Sequence, residues 1–134
     1  MKKIMLTLFT VLLLTGCGCT DGMREGNNIT IHIKNNSDLT LYGMEIHLPN
    51  SSHTVLNANG TEISRGEDLV IQLLKDEMTG AENKSFEVFA LADQSGRNRI
   101  LVENPYRIDF RSAQSWYFEL NGEGAKSLAL KKEK

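Results

Sequence analysis

The stretch ITIHIK at residues 29–34 decides the fold of this 134-residue chain. Apolar and polar side chains alternate along it without interruption. Successive side chains of a β-strand point to opposite faces of a sheet, so this period of two predicts a strand with one buried face and one face in water. The isoleucines share the buried face, and the polar face carries Thr30, His32 and Lys34.

Short apolar segments recur along the rest of the chain, separated by turn-forming residues. None carries the 3.6-residue apolar period of a long helix. Strands spaced about 8–12 residues apart predict an all-β fold, an antiparallel β-sandwich of roughly seven to eight short strands, immunoglobulin-like or transthyretin-like, with a small barrel as an alternative. The remaining strand segments are 39–48, 55–56, 63, 69–74, 86–92, 99–102, 106–110, 116–120 and 128–130.

Local patterns refine this prediction. The inward positions of segment 39–48 change parity at Gly43, as they would at a β-bulge, so we predict one strand bent at that glycine. Residues 49–53 are predicted to be a loop. The run 57–60 ends in Asn-Gly, the strongest hairpin signal in the chain, and predicts a hairpin. Apolar residues on both faces of segment 86–92 predict a central strand.

The N-terminal residues have the layout of a bacterial secretory signal. Two lysines precede an apolar run at 4–14 that is interrupted by two threonines. Such a run suits a signal of roughly 7–15 apolar residues and is well short of the ~20 that span a bilayer. It ends in LTGC at residues 14–17, which resembles the lipobox of bacterial lipoproteins. The resemblance implies cleavage after Gly16 and a diacylglycerol thioether, with acyl chains such as palmitate, on Cys17.

These features predict four regions. They are a cleaved signal peptide at 1–16, a lipidated flexible tether at 17–28, a β-sandwich domain at 29–131 and a frayed tail at 132–134. The polar, glycine-bearing tether would reach about 15–20 Å. We therefore expect the domain to work close to the extracytoplasmic side of the cell membrane or the outer membrane. In Gram-negative lipoproteins an aspartate after the lipidated cysteine marks inner-membrane retention, so Gly18 is compatible with outer-membrane sorting. In a Gram-positive cell the anchor would lie in the outer leaflet of the plasma membrane, and the sequence leaves the envelope type open.

The composition argues against several classes of partner. Without the signal the chain has 13 basic and 17 acidic residues, a net charge of −4. We therefore expect no nucleic-acid partner and no polybasic membrane patch. Lipid on Cys17 leaves Cys19 without a disulfide partner in the chain. Three fates stay open for Cys19: a second acylation, an intermolecular crosslink, or an idle thiol in the tether.

The chain carries no recognisable catalytic motif, since it lacks the GxSxG, HExxH, Walker and GxGxxG sequences. His32 and His47 fall on the polar faces of the first two predicted strands, and the three histidines fit no metal-ligand spacing. If those two strands form a hairpin, His32 lies opposite Thr40 and far from His47. We therefore predict no catalytic residue, no metal, no cofactor and no enzymatic activity.

Aromatic and basic residues near the C-terminus form the candidate binding site. If Trp116 and Phe118 face the core, the neighbouring tyrosines and arginines remain partly exposed. Tyrosine and arginine are enriched in protein-binding surfaces, and such a patch also suits a sugar. The predicted binding residues are Tyr106, Arg107, Arg111 and Tyr117.

The leading functional hypothesis is a membrane-anchored, non-catalytic domain that binds another component of the envelope, expected to be a protein. A hypothesis from another class is a small envelope hydrolase, or an inhibitor of a hydrolase such as lysozyme. Bacterial lysozyme inhibitors are likewise small β-rich lipoproteins, and an acidic domain suits a basic enzyme, although the disulfides common in those inhibitors cannot form here. A third is a structural lipoprotein without a dedicated ligand.

Inhibition of lipoprotein processing tests the anchor. Under globomycin, which blocks the lipoprotein signal peptidase, we expect expressing cells to accumulate the uncleaved precursor. Cys17→Ser removes the thiol that accepts the lipid, so cleavage and palmitate labelling should stop. Cys19→Ser is the matched control and should be cleaved normally. Gel electrophoresis after palmitate labelling separates the forms, and an unlabelled mature protein that still appears under globomycin would contradict the lipobox assignment.

Overall fold

The computed structural model describes residues 28–74, 84–109 and 115–133. Within these ranges the chain is all-β, which confirms the predicted fold class, and none of them contains a helix that could cross a bilayer. The predicted signal, lipobox and tether lie outside the described residues. The strands are β1 (Asn28–Asn35), β2 (Gly43–Leu48), β3 (Ser51–Leu56), β4 (Asp68–Leu74), β5 (Lys84–Ser85), β6 (Glu87–Leu91), β7 (Arg99–Val102), β8 (Arg107–Ile108), β9 (Ser115–Asn121) and β10 (Ala129–Lys132).

Two four-stranded sheets pack into the sandwich. The first has the order β10-β9-β1-β4 and the second β3-β2-β6-β7, with β5 and β8 forming a separate short pair. The described ranges contain ten strands, more than the predicted seven to eight, because residues predicted to be loops near 51 and 84 also pair. Most neighbours are antiparallel, but β1 and β9 run parallel. The predicted antiparallel sandwich is therefore confirmed except at this pair.

The alternation predicted for β1 is confirmed. Ile29, Ile31 and Ile33 are fully buried and belong to the core between the sheets. Met44 and Ile46 of β2 are fully buried in the same core. Complete burial of one side chain of this size contributes about 1.5–3 kcal/mol, so the inward faces of these two strands are a large part of what holds the sheets together.

The first two strands do not form the hairpin that was considered from the sequence. Strand β1 lies in the first sheet and β2 in the second. As a result, His32 lies opposite Val70 on one side and Tyr117 on the other, and not opposite Thr40. The reason is that the chain turns away at the end of β1 and crosses to the other sheet.

Asn35 fixes this turn. Its side chain is buried, and its Nδ2 donates a hydrogen bond to the carbonyl oxygen of Ile63 at 2.9 Å. Its Oδ1 accepts hydrogen bonds from the N–H and the hydroxyl of Ser37 at 3.1 and 2.7 Å. An unpaired amide at such a depth would cost about 1–3 kcal/mol, so these partners make a buried asparagine compatible with the core.

Strand β2 begins at Gly43, and Leu41 pairs separately with Ile63. The predicted continuous strand over 39–48 is therefore wrong, although the change of parity is confirmed because Leu41 and Met44 are both buried. Gly43 is explained by a close approach between strands. A Cβ atom there would overlap the backbone carbonyl oxygen of Val55 on β3.

Of the two predicted turns, the loop at 49–53 is mostly wrong, and the turn at 57–60 is confirmed but does not close a hairpin. Residues 51–56 form β3 directly after a tight turn, so the predicted loop at 49–53 is wrong beyond its first two residues. The turn at 57–60 is confirmed: the N–H of Gly60 donates to the carbonyl of Asn57 at 2.9 Å, and Gly60 has a φ of 65°. It does not close a hairpin, because Ile63 pairs with Leu41 and not with β3.

The predicted segments 99–102 and 116–120 are confirmed as β7 and β9, whereas the predicted strand over 106–110 forms only the two residues of β8 within the described residues. Strand β6 lies between β2 and β7, as expected of a central strand. Phe118 is buried, and Trp116 packs against the core, so the inward assignment of both is confirmed.

The prediction of a frayed tail from residue 132 is wrong for its first two residues. Strand β10 extends to Lys132, which pairs with Phe118, and the N–H of Glu133 donates to the carbonyl of Tyr117 at 3.0 Å. The Lys132 ammonium lies 4.3 Å from the ring centroid of Trp116, which is a cation–π contact. Backbone pairing and this contact together hold the segment on the sheet.

Substitution of Gly43 tests the close approach of β2 and β3. We expect Gly43→Ala to lower the free energy of unfolding by about 1–3 kcal/mol, because the added methyl group must displace the β3 backbone. Ser52→Ala, on the exposed face of β3, is the control and should change stability by less than about 0.5 kcal/mol. Urea unfolding followed by circular dichroism measures both, and equal stability of the two variants would contradict this explanation.

Candidate binding surface

The solvent-facing side of the first sheet, which we call the outer face, is the candidate site. The inward positions of the same strands are buried, so the outward side chains stand on a backbone that the core holds in place. Because neighbouring strands are paired in register, these side chains form rows across the sheet. The outer face comprises Thr30, His32, Lys34, Asp68, Val70, Gln72, Leu74, Tyr117, Glu119 and Lys131.

A row of three residues crosses the middle of the outer face. The imidazole of His32 stacks on the ring of Tyr117, with centroids 4.5 Å apart and planes 11° from parallel. Val70 is the neighbour of His32 on the other side. Tyr117 is 49% exposed and Val70 44% exposed. This central row therefore presents an aromatic ring and an aliphatic side chain to solvent on a fixed support.

A charged row runs beside the central row. The strand register places Lys34 between Asp68 and Glu119, and Glu119 between Lys34 and Lys131. The charges thus alternate in sign across all four strands. The row therefore borders the central row with charged groups of both signs.

The structure does not bring the four predicted binding residues together. Tyr117 is exposed on the outer face, but Tyr106 is partly buried and its ring packs against Phe118 at 5.5 Å. Tyr117 and Phe118 are consecutive residues of β9, so their side chains point to opposite faces of the first sheet. Tyr106 packs against the buried Phe118 and therefore lies on the core side, whereas Tyr117 lies on the outer face. Arg107 is exposed on β8, which belongs to neither four-stranded sheet. Arg111 lies outside the described residues.

Two members of the central row were missed from the sequence. His32 was assigned correctly to a polar strand face, but its stacking on Tyr117 depends on the parallel pairing of β1 with β9. Val70 lies in an apolar run whose faces could not be told apart. The alternation in burial along β4 does separate them, with Leu69 and Ile71 inward and Val70 outward.

A second polar cluster lies on the solvent side of the second sheet. Glu45 is only 5% exposed, and its Oε1 lies 2.5 Å from Nε2 of His47. The Nε of Arg99 lies 2.9 Å from Oε2, close enough for an ion pair although the two groups are not aligned as a hydrogen bond. The ring of Phe89 packs against His47 at 4.9 Å. These neighbours offset the burial of the carboxylate, which suits a structural role.

The described ranges contain no cluster of three or more His, Cys, Asp or Glu side chains placed to hold a metal ion. The outer face differs from the Glu45 cluster in the near-parallel stacking of His32 on the half-exposed ring of Tyr117.

No protein-family model matches the chain, and no curated protein matches it in sequence. Among solved structures, it is similar to a disulfide-locked mutant of intermedilysin with human CD59, at a TM-score of 0.37 and 8% identity over 79% of this chain and 24% of that one. It is also similar to the membrane-binding domain of pneumolysin, at a TM-score of 0.35 and 13% identity over 79% of this chain and 97% of that one. Nothing about function follows from TM-scores of this size.

Proposed function

We propose that this chain is a lipid-anchored, extracytoplasmic, non-catalytic protein of the bacterial envelope whose outer face binds another envelope protein. The observation that carries the proposal is the stacked pair of His32 and Tyr117 beside the exposed Val70. The lipobox at residues 14–17 supports the location.

The chemistry of the central row suits a protein partner. Tyrosine is among the residues that contribute most to protein–protein binding, because its ring buries a large area while its hydroxyl keeps a polar contact. Stacking on His32 already restricts the ring of Tyr117, so binding costs less side-chain entropy than it would for a free ring. The alternating charges of the second row resemble the polar rim of an interface.

The shape of the surface points the same way. The outer face is one side of a β-sheet, whereas small-molecule sites are concave and enclose most of their ligand. A sheet face instead matches the broad, shallow contacts of proteins, which bury roughly 800 Å² on each partner.

The tether sets the distance over which the protein would work. Strand β1 begins at Asn28, where the predicted tether ends, and its first residue pairs with Leu74 of β4. This end of the first sheet would therefore face the membrane. A tether of about 15–20 Å and a β1 of roughly 26 Å keep the outer face within about 45 Å of the bilayer. A partner in the same membrane, or bound to its surface, is within reach.

Site-specific photocrosslinking tests the proposal. A photoreactive phenylalanine analogue in place of Tyr117 should give a crosslinked protein adduct in intact cells. The control places the analogue at Leu101, which is 60% exposed on the second sheet and lies away from the outer face. Because both positions are exposed on strands, they test the location of binding and not exposure itself.

The adduct should be identified by mass spectrometry and should saturate as the partner is titrated. His32→Ala removes the ring that stacks on the aromatic side chain at position 117 and should lower the yield of the adduct from that position about three- to tenfold. Equal crosslinking from both positions, or adducts with lipid alone, would contradict a protein-binding outer face.

A further inference from the structure

The two sheets leave an open groove along one side of the sandwich. Strand β4 is at the edge of the first sheet and β3 at the edge of the second. Between them lies a groove of about 350 Å³ whose apolar wall includes Val55, Leu56, Ile63 and Leu69. Leu56 is 46% exposed at its rim. The groove is thus large enough to take one or two apolar side chains from a ligand.

The backbone of β4 offers hydrogen-bonding groups along this groove. The N–H of Asn35 donates a hydrogen bond to the carbonyl of Glu67. In an antiparallel ladder the hydrogen-bonded pairs recur at every second residue. The next such pairs join Leu69 and Ile71 to β1, so the amides of these two residues point towards β1. The N–H and C=O groups of Val70 and Gln72 point the other way. Within the described ranges, no strand pairs with that edge.

Strand β4 lacks the features that usually protect a sheet edge. Natural edge strands are blunted by lysine, proline, a bulge or a short length. The seven residues of β4, DLVIQLL, contain neither lysine nor proline, and every one of them is paired in register with β1. An edge of this kind favours the addition of another strand.

The groove is acidic at one end. Glu67 and Asp68 line it where β4 begins. Of the neighbouring cations, Arg65 is engaged elsewhere, since its Nη1 lies 2.7 Å from Oδ1 of Asp38, and Lys34 lies opposite Asp68 in the strand register. One oxygen of Glu67 accepts a hydrogen bond from the N–H of Ser64 at 2.6 Å, which holds the carboxylate in place. This end therefore favours a positively charged ligand group.

We propose that the β3–β4 groove binds an extended peptide segment of a partner protein, added antiparallel to β4 as a further strand. Alternate apolar side chains of the segment enter the groove, and basic residues at its C-terminal end meet Glu67 and Asp68. Val70 and Gln72 supply the main-chain hydrogen bonds. This mode of recognition combines backbone affinity with specificity from alternate side chains. The site requires neither the lipid anchor nor the Tyr117–His32 stack.

Synthetic peptides provide the probe. The octapeptide Thr-Val-Thr-Val-Thr-Val-Lys-Lys, acetylated and amidated, should bind the 28–134 chain at least about tenfold more tightly than its Glu-Glu counterpart. N-methylation of the two residues that face Val70 and Gln72 removes their amide donors and should weaken binding at least about tenfold. Fluorescence anisotropy measures the affinities, and NMR maps the amides that shift, which should be those of β4 and β3.

Protein variants locate the site. Asp68→Asn should reduce the preference for the lysine peptide about three- to tenfold, whereas Glu87→Gln, the same charge change on the second sheet, should not alter it. Val70→Pro removes an amide that points away from β1 and should abolish binding of the peptide. If that variant does not fold, the N-methylated peptide makes the same test without changing the protein.

Several results would overturn the proposal. They are no binding at about 1 mM peptide, equal affinity for the lysine and glutamate peptides, and NMR shifts confined to β9 and β10. Self-association of the unmodified chain that disappears in Val70→Pro would assign the edge to a second copy instead. Each of these results is independent of crosslinking from the Tyr117 position.

Discussion

Strand β1 is hydrogen-bonded along both edges and buried on one face, and the rest of the first sheet takes its position from it. It pairs antiparallel with β4 and parallel with β9. Its isoleucines close the core, while the residues between them carry His32 to the outer face. Core and candidate site therefore share one backbone, and a shift of β1 by one residue would exchange its two faces. The same burial that stabilises the fold thus keeps the imidazole and Tyr117 in contact.

The position of β1 also determines which strand forms the edge of the first sheet next to the groove. Among the described residues β1 is an interior strand and β4 an edge strand, and the backbone groups of β4 that point away from β1 border the groove against β3. The second sheet is different in character, since its solvent side carries the Glu45 cluster, in which His47 and Arg99 surround a buried carboxylate. The two proposed binding regions thus both belong to the first sheet or its edge, and the second sheet serves mainly as the support against which β1 is packed.

The sequence was sufficient for the fold class but not for its connectivity. Alternation of side chains is a local property, so the two faces of β1 and the inward side of β9 could be predicted from their residues alone. The apolar run of β4 predicted a strand but not its faces. Which strands pair depends on contacts between distant segments, and the parallel pairing of β1 with β9 has no local signal. The candidate site could be predicted only in part for the same reason. Tyr117 was predicted as a binding residue, but His32, which pairs with it across the strands, was assigned only to a polar face. Gly43 is a second example, because glycine is required at this position by the close approach of the Val55 carbonyl on another strand.

Native-state hydrogen exchange, read residue by residue by NMR, tests the central position of β1 and the open edge of β4 together. With β1 paired on both edges, we expect all of its interior amides to exchange slowly, at rates set by global unfolding. Along β4, the amides of Leu69 and Ile71 should be protected to a similar extent, while those of Val70 and Gln72 exchange at least about tenfold faster. Equal protection of neighbouring β4 amides, or rapid exchange in β1, would contradict this arrangement of β1 and β4.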